Sequence, residues 1–146
     1  MNETMIEMCD VSKTYPSQIS ALSDVSLEIL KGEFTFVAGP SGSGKSTLLR
    51  ILSHAEKPTS GEVVVCGMHI TDPSFRRLYQ LRRTMGIVSQ EFKLLRDRTV
   101  NENVAFALEV TGHTRKEAKH KASEMLSHVG LEEREREPVD ARAEAV

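Results

Sequence analysis

The stretch "GPSGSGKST", Gly39 to Thr47, sets three glycines and four hydroxyl side chains around one lysine, Lys45. Gly39, Gly44, Lys45 and Ser46 fit the pattern G-x-x-x-x-G-K-[ST]. A polyphosphate needs several hydrogen-bond donors at close range. Glycine lets the backbone curl so that successive N–H groups face one anion, here across Gly39, Pro40, Ser41, Gly42, Ser43 and Gly44. A helix opening near Gly44 turns its positive dipole end to the same place. Lys45 then reaches the β- and γ-phosphates as a mobile charge. Ser46, followed by Thr47, offers a hydroxyl to Mg²⁺. Two further residues carry possible chemistry. Tyr15 ends an early strand, where its face can stack on a purine or simply pack. Gln90 follows "GIVS", where a glutamine can touch a metal, orient a water, or sit solvated.

These residues need particular elements to hold them. "MIEMCDVSKTY" and "SALSDVSLEIL" alternate apolar and polar positions and predict two half-buried strands, paired antiparallel. "EFTFVAG" is a continuous apolar run and predicts a buried strand feeding the glycine loop. Ser46 to His54 predicts a helix with a broad apolar face of Leu48, Leu49, Ile51 and Leu52. "KPTSGEV" predicts a turn, and Val63 to Cys66 another strand. Ser74 to Arg83 predicts a basic helix, and "MGIVSQ" a short strand. Thr99 caps one later helix. Thr114, with Glu117 in the capping-box position, caps a second, whose stripe Ala118, Ala122, Met125, Leu126 and Val129 faces a core. Gly130 ends it.

The composition allows this. Of 146 residues, 39% are hydrophobic and 27% charged, ordinary for a folded domain. Net charge is -2, which gives no general electrostatic case for nucleic acid. No apolar run approaches the roughly 20 residues of a membrane span, and Asn2 to Asp10 is too polar for a signal peptide. Cys9 and Cys66 are expected as buried reduced thiols, and the five histidines as surface or packing residues. A cytosolic protein is the expectation.

Tyr15, the loop Gly39 to Thr47 and Gln90 together resemble the ATP-binding subunit family of ABC transporters. "LSDVSLEILKGEF", "KPTSGEV" and "LRRTMGIVSQ" sit at that family's spacing, and the resemblance covers residues 5 to 131. It implies an α/β fold of the P-loop NTPase class, ABC ATPase type, with an antiparallel β flank and the start of a helical subdomain. The division implied is 1–98 for the nucleotide-binding core, 99–131 for the partial helical subdomain and 132–146 for a divergent tail. It implies ATP and Mg²⁺ as cofactors, Tyr15 stacked on adenine, and Ser46 and Gln90 at the metal. It implies an integral membrane subunit as partner, so that the protein lies on the inner face of the plasma membrane. "QEFKLLRDRTVNENVAFALEVTG", Gln90 to Gly112, resembles the cell-division branch of the family more than the lipoprotein-release or macrolide-export branches. There Phe92, Leu94 and Leu95 are apolar beside Lys93, Arg96 and Arg98, which suits docking on the membrane partner. Local packing is the other reading of Leu94 and Leu95.

Family members hydrolyse ATP with more than a phosphate cradle. A metal-holding aspartate, a following glutamate, a switch histidine and an "LSGGQ"-type signature are all absent after Gly130. "VDARAEAV" stands where the signature is due. A reading-frame slip near Asp140, a fragment or a naturally short protein would each explain this. The expectation is a chain that binds nucleotide weakly and does not turn it over alone. The alternatives are a non-catalytic docking module and an inert gene product. Homodimerisation around two ATP molecules, usual in the family, is doubtful for two chains without signatures.

Overall fold

The computed structural model describes residues 3–88 and 93–139. The chain divides into two compact units, Met1–Gly86 and Ile87–Val146.

In the first unit, β1 (Thr4–Thr14) and β2 (Ser20–Leu30) form the expected antiparallel hairpin, with Met8 opposite Leu27 and Val11 opposite Val25. β3 (Ser60–Val65) pairs antiparallel with the other edge of β1, placing Val63 against Met8 and Val65 against Ile6. A two-residue strand β4 (Met68–His69) completes the sheet, ordered β2-β1-β3-β4. Met8 and Val11 are three apart, so a regular strand would point them to opposite faces. A register shift between them, with Asp10 at φ 49°, brings both inward. Ser26 and Asp10 hold this bulge: the Asp10 N–H donates to Ser26 Oγ at 2.9 Å, and that hydroxyl donates to Asp10 Oδ1 at 3.0 Å.

The buried face of the sheet is covered by α1 (Lys45–Leu52) and by Leu81 of α2 (Leu78–Arg83). Leu48, Ile51 and Leu52 are buried, whereas Leu49, expected on the same face, is 61% exposed. α2 is shorter than the helix expected from Ser74. The Asp72 carboxylate accepts the Ser74 N–H at 2.6 Å, and Arg76 donates to the Pro73 and Phe75 carbonyls. That turn consumes the groups a helix start would need.

Three expectations for this unit are corrected. "EFTFVAG" is not a buried strand: residues 33–39 form no strand, and Phe34 and Phe36 are 81% and 82% exposed. A two-sided apolar strand needs neighbours on both edges, and among the described residues none pairs with it. The two rings stack edge to face on each other instead, 4.8 Å apart. Cys9 is exposed and Cys66 half-buried. Alternation from buried Met8 turns Cys9 outward, and Cys66 lies past the end of β3 at φ 49°.

In the second unit, residues 87 and 88 form no strand, and Val88 is fully exposed. Ser89 and Gln90, the rest of "MGIVSQ" as expected in a strand, lie outside the described residues. α3 (Val100–Val110) and α4 (Arg115–His128) make a hairpin. Its seam is Ala105, Ala118 and Ala122, small enough for close approach of the two helices. Met125 and Val129 are exposed, contrary to expectation. Residues 118, 122 and 126 lie in one row four apart, and a single partner helix covers only that row. Residues 135–139 return to the start of α3. The Asn101 N–H donates to Glu135 O at 2.9 Å and the Val100 N–H to Glu137 O at 3.0 Å, satisfying donors that a helix start leaves free. Among the described residues no helix is long and apolar enough to cross a membrane.

Both helices open with the threonine–glutamate capping boxes, Thr99 with Glu102 and Thr114 with Glu117. The Thr99 N–H holds the Glu102 carboxyl below its usual range, and the Thr114 hydroxyl does so for Glu117. A carboxyl depressed in the folded state stabilises above its ordinary titration and loses that effect as pH falls through the folded value. Helical circular dichroism is therefore expected to decline on acidification below the ordinary carboxylate range. Thr114→Ala, which removes the hydroxyl that bonds Glu117, is expected to destabilise the hairpin by about 1 kcal/mol at pH 7 and to flatten that acid decline, as urea titration would show.

Candidate nucleotide-binding site

The glycine loop lies in the first unit, between the exposed segment 33–38 and α1. Gly44 is the N-cap of α1 at φ 89° and ψ 0°, a left-handed conformation that glycine takes without strain. A side chain there would collide with the Ala21 carbonyl oxygen and the Leu22 side chain. The loop thus presses on β2 at the one residue able to allow it. Gly42, at φ 81°, makes the second left-handed turn.

Lys45 is half-buried, and its ammonium donates to Gly39 O at 2.8 Å, Pro40 O at 2.7 Å and Ser43 Oγ at 3.3 Å. All three acceptors are neutral. Among the described residues no carboxylate pairs with Lys45, and none accepts the N–H groups of Ser41, Gly42 or Gly44. The first turn of α1 holds no acidic residue. A cation bonded to neutral acceptors, amide donors that no described residue uses, and a helix N-terminus converge on one loop. That donor set fits a polyphosphate. Ser46 is exposed and offers its hydroxyl. Among the described residues no group of three acidic, histidine or cysteine side chains could hold a metal.

The fold brings Tyr15 to this loop. Thr47 is buried, and its Oγ1 lies 3.2 Å from Tyr15 Oη. The same phenol donates to Glu56 Oε2 at 2.7 Å. Glu56 also meets Arg50 Nη1 at 3.2 Å and Lys13 Nζ at 3.9 Å. The Tyr15 hydrogen bond, then Arg50 and Lys13, hold the Glu56 carboxyl below its usual range against the opposing effect of desolvation. Lys13 Nζ stands 5.2 Å from the centre of the Tyr15 ring. Glu56 gives no sign of itself in the sequence, being one charged residue in a turn.

Gln90 and Phe92 lie outside the described residues. Leu94 is 47% exposed, whereas Leu95 is half-buried. The Asn103 side chain clamps Leu95, accepting its N–H at 2.7 Å and donating to its carbonyl at 3.0 Å. The second unit has its own open cleft, lined by Asp97, Arg98, Glu102, Glu109, Arg115 and Lys119. Its charges are of both signs, and Lys119 already meets Glu102 at 3.4 Å, so it does not compete as an anion site.

Residues 22–146 match the family model described as ABC transporter. The chain belongs to the ABC transporter family. The match runs past Leu131, where the resemblance read from motifs stops. Among ABC transporter relatives, the cell division ATP-binding protein FtsE of Mycobacterium tuberculosis is 47% identical over 128 residues, 87% of this chain and 56% of that protein. The methionine import ATP-binding protein MetN of Geobacillus kaustophilus is 44% identical over 134 residues, 90% of this chain and 39% of that protein. Among solved structures, the dimeric ATP-binding cassette MJ0796 in a post-hydrolysis state bound to ADP and Pi superposes with a TM-score of 0.79 at 38% identity. That superposition covers 90% of this chain and 60% of that one. The chain thus spans 39–60% of the length of these three ABC transporter proteins. The α/β class and the antiparallel flank expected from the sequence agree with these neighbours.

Proposed function

We propose that the chain is an ATP-binding part of an ABC-type membrane complex, most of its ligand grip lying in Gly39–Thr47. The observation that carries this is Lys45, a cation without a carboxylate partner among the described residues, centred on a glycine loop with unused amide donors. Lys45 and the amides of Ser41, Gly42 and Gly44 bind the phosphates. Ser46 would offer its hydroxyl to a Mg²⁺ that offsets the phosphate charge, and Tyr15 stacks on adenine. The ATP-binding relatives and the ADP and Pi held by MJ0796 support this ligand.

The branch we favour is cell division, on the FtsE relatives and the wording of residues 90–112. Phe92, Leu94 and Leu95 would then dock an integral membrane subunit at the inner face of the plasma membrane. MetN relatives match at similar identity, so methionine import is the competing branch. A pull-down separates them. The chain is expected to capture the cell-division permease-like subunit and not a methionine permease, and Leu94→Asp is expected to abolish capture. Capture of the methionine permease instead would refute the branch.

Turnover is a separate matter. Phosphoryl transfer relies on more than a phosphate cradle: the metal-holding aspartate, the glutamate after it, the switch histidine and the signature contributed in trans have no counterpart in the motifs of these 146 residues. Calorimetry is expected to show magnesium-dependent ATP binding by the purified chain, with no phosphate release above background. A chain that folds yet takes up no heat from Mg·ATP would end the reading.

A further inference from the structure

Tyr15 Oη carries one hydrogen. It goes to the Glu56 carboxylate, the shorter and charge-assisted contact at 2.7 Å, so the Thr47 hydroxyl donates to Tyr15 Oη at 3.2 Å. The phenol tip is thereby gripped twice. The other end of the residue is fixed too: the Tyr15 N–H donates to Ile19 O at 3.0 Å, and its carbonyl accepts the Gln18 N–H at 2.8 Å. Anchoring both ends fixes the line from Cα to Oη, and because a phenolic O–H lies in the plane of its ring, the direction of the bond to Glu56 sets the ring's rotation about that line.

Glu56 is held in turn from two elements, by Arg50 of α1 and Lys13 of β1. A carboxylate beside an anion site repels the ligand unless it is neutralised. Here two cations neutralise it, and its remaining strong contact is Tyr15. Thr47 lies in the first turn of α1, which opens directly from the glycine loop. The chain Glu56–Tyr15–Thr47 therefore ties the aromatic plate to the phosphate cradle through two hydrogen bonds.

We propose that Glu56 is a positioning residue for the nucleotide base, fixing the plane of the Tyr15 ring at a set distance from the phosphate loop. This deepens the ATP-binding reading and rests on it. Glu56 touches no phosphate; it acts through Tyr15. It selects for the base end of the ligand and contributes nothing to the triphosphate end.

The ligand that isolates this role is inorganic tripolyphosphate with Mg²⁺, which has the phosphates without a base. In calorimetry of the full 146-residue chain, Glu56→Ala is expected to weaken Mg·ATP about three- to tenfold, the scale of a lost aromatic contact. Tripolyphosphate affinity is expected to stay within about twofold of the unmodified chain. Tyr15→Phe, which keeps the ring but not the hydroxyl, is expected to give the same loss, and the double variant no more than either single one. Glu56→Gln keeps an acceptor oxygen and restores most of the affinity. The bond itself is visible in solution. The chain has no tryptophan and two tyrosines, so in a Tyr79→Phe background the emission is that of Tyr15. A phenol bonded to a carboxylate is quenched, and Glu56→Ala is expected to brighten it. Unchanged ATP affinity in Glu56→Ala overturns the positioning role, as does an equal fall for ATP and tripolyphosphate. If the unmodified chain binds neither ligand, the phosphate-loop reading itself fails.

Discussion

Lys45→Ala is expected to remove measurable binding of Mg·ATP. The ammonium does two things in this loop. It supplies the full positive charge at the site, and it ties Gly39 O, Pro40 O and Ser43 Oγ into one curl. Truncation loses the charge-assisted bonds to phosphate, each worth about 1.5–3 kcal/mol. Two such bonds amount to a loss of about two to four orders of magnitude in affinity. The curl loosens as well, so the unused amides of Ser41, Gly42 and Gly44 no longer converge. Lys45→Arg should not rescue, because a planar fork cannot replace a compact ammonium inside so small a ring of carbonyls. Folding should be little affected, since residues 39–43 are exposed and outside the core. Calorimetry beside thermal unfolding checks both halves. Retained ATP affinity in a folded Lys45→Ala chain would remove the basis of the proposed function.

Ile51→Ala is the second large effect, and it is expected to cost about 2–5 kcal/mol of stability. Ile51 is 0% exposed and sits on α1 among Met8, Val11, Leu22, Val63 and Leu81. Ile51 sits at the centre of the cluster that α1 and Leu81 of α2 close over the sheet, so truncating it leaves a cavity. For a unit of this size each lost kcal/mol lowers the melting temperature by about 4–8 °C. α1 also carries Lys45 and Thr47 at its start. Loosening the helix should therefore weaken nucleotide binding along with stability. Leu49→Ala, two residues away and 61% exposed, is the control and is expected to change stability by at most about 0.5 kcal/mol. Equal effects at Ile51 and Leu49 in urea unfolding would show that α1 does not pack as described.

Much of this protein can be read from local pattern. The alternation in "SALSDVSLEIL" delivers β2 with its bounds, because a half-buried strand writes its two faces into every second residue. Thr114 with Glu117 delivers the start of α4, because a capping box is closed by atoms three residues apart. Gly39, Gly44 and Lys45 announce the glycine loop for the same reason: its backbone conformation and its charge are properties of neighbouring residues.

What only the tertiary structure decided depends on partners distant in sequence. "EFTFVAG" has the composition of a central strand, yet composition cannot supply the flanking strands, and among the described residues it has none. Met125 and Val129 extend the apolar stripe of α4, but burial is set by what lies opposite, and α3 covers only the row of Ala118 and Ala122. The bulge that turns both Met8 and Val11 inward depends on Ser26 across the hairpin. Tyr15 was legible as an aromatic at a strand end, without its grip on Thr47 and Glu56, which lie 32 and 41 residues along the chain. Backbone conformation and capping are settled by neighbours within a few residues, so the sequence alone specified the β1–β2 hairpin, the helix caps and the left-handed turns of the glycine loop. Burial and side-chain hydrogen bonding are settled by whatever the fold carries into contact, so the three-dimensional structure was needed to find Glu56 and to place the exposed apolar segments.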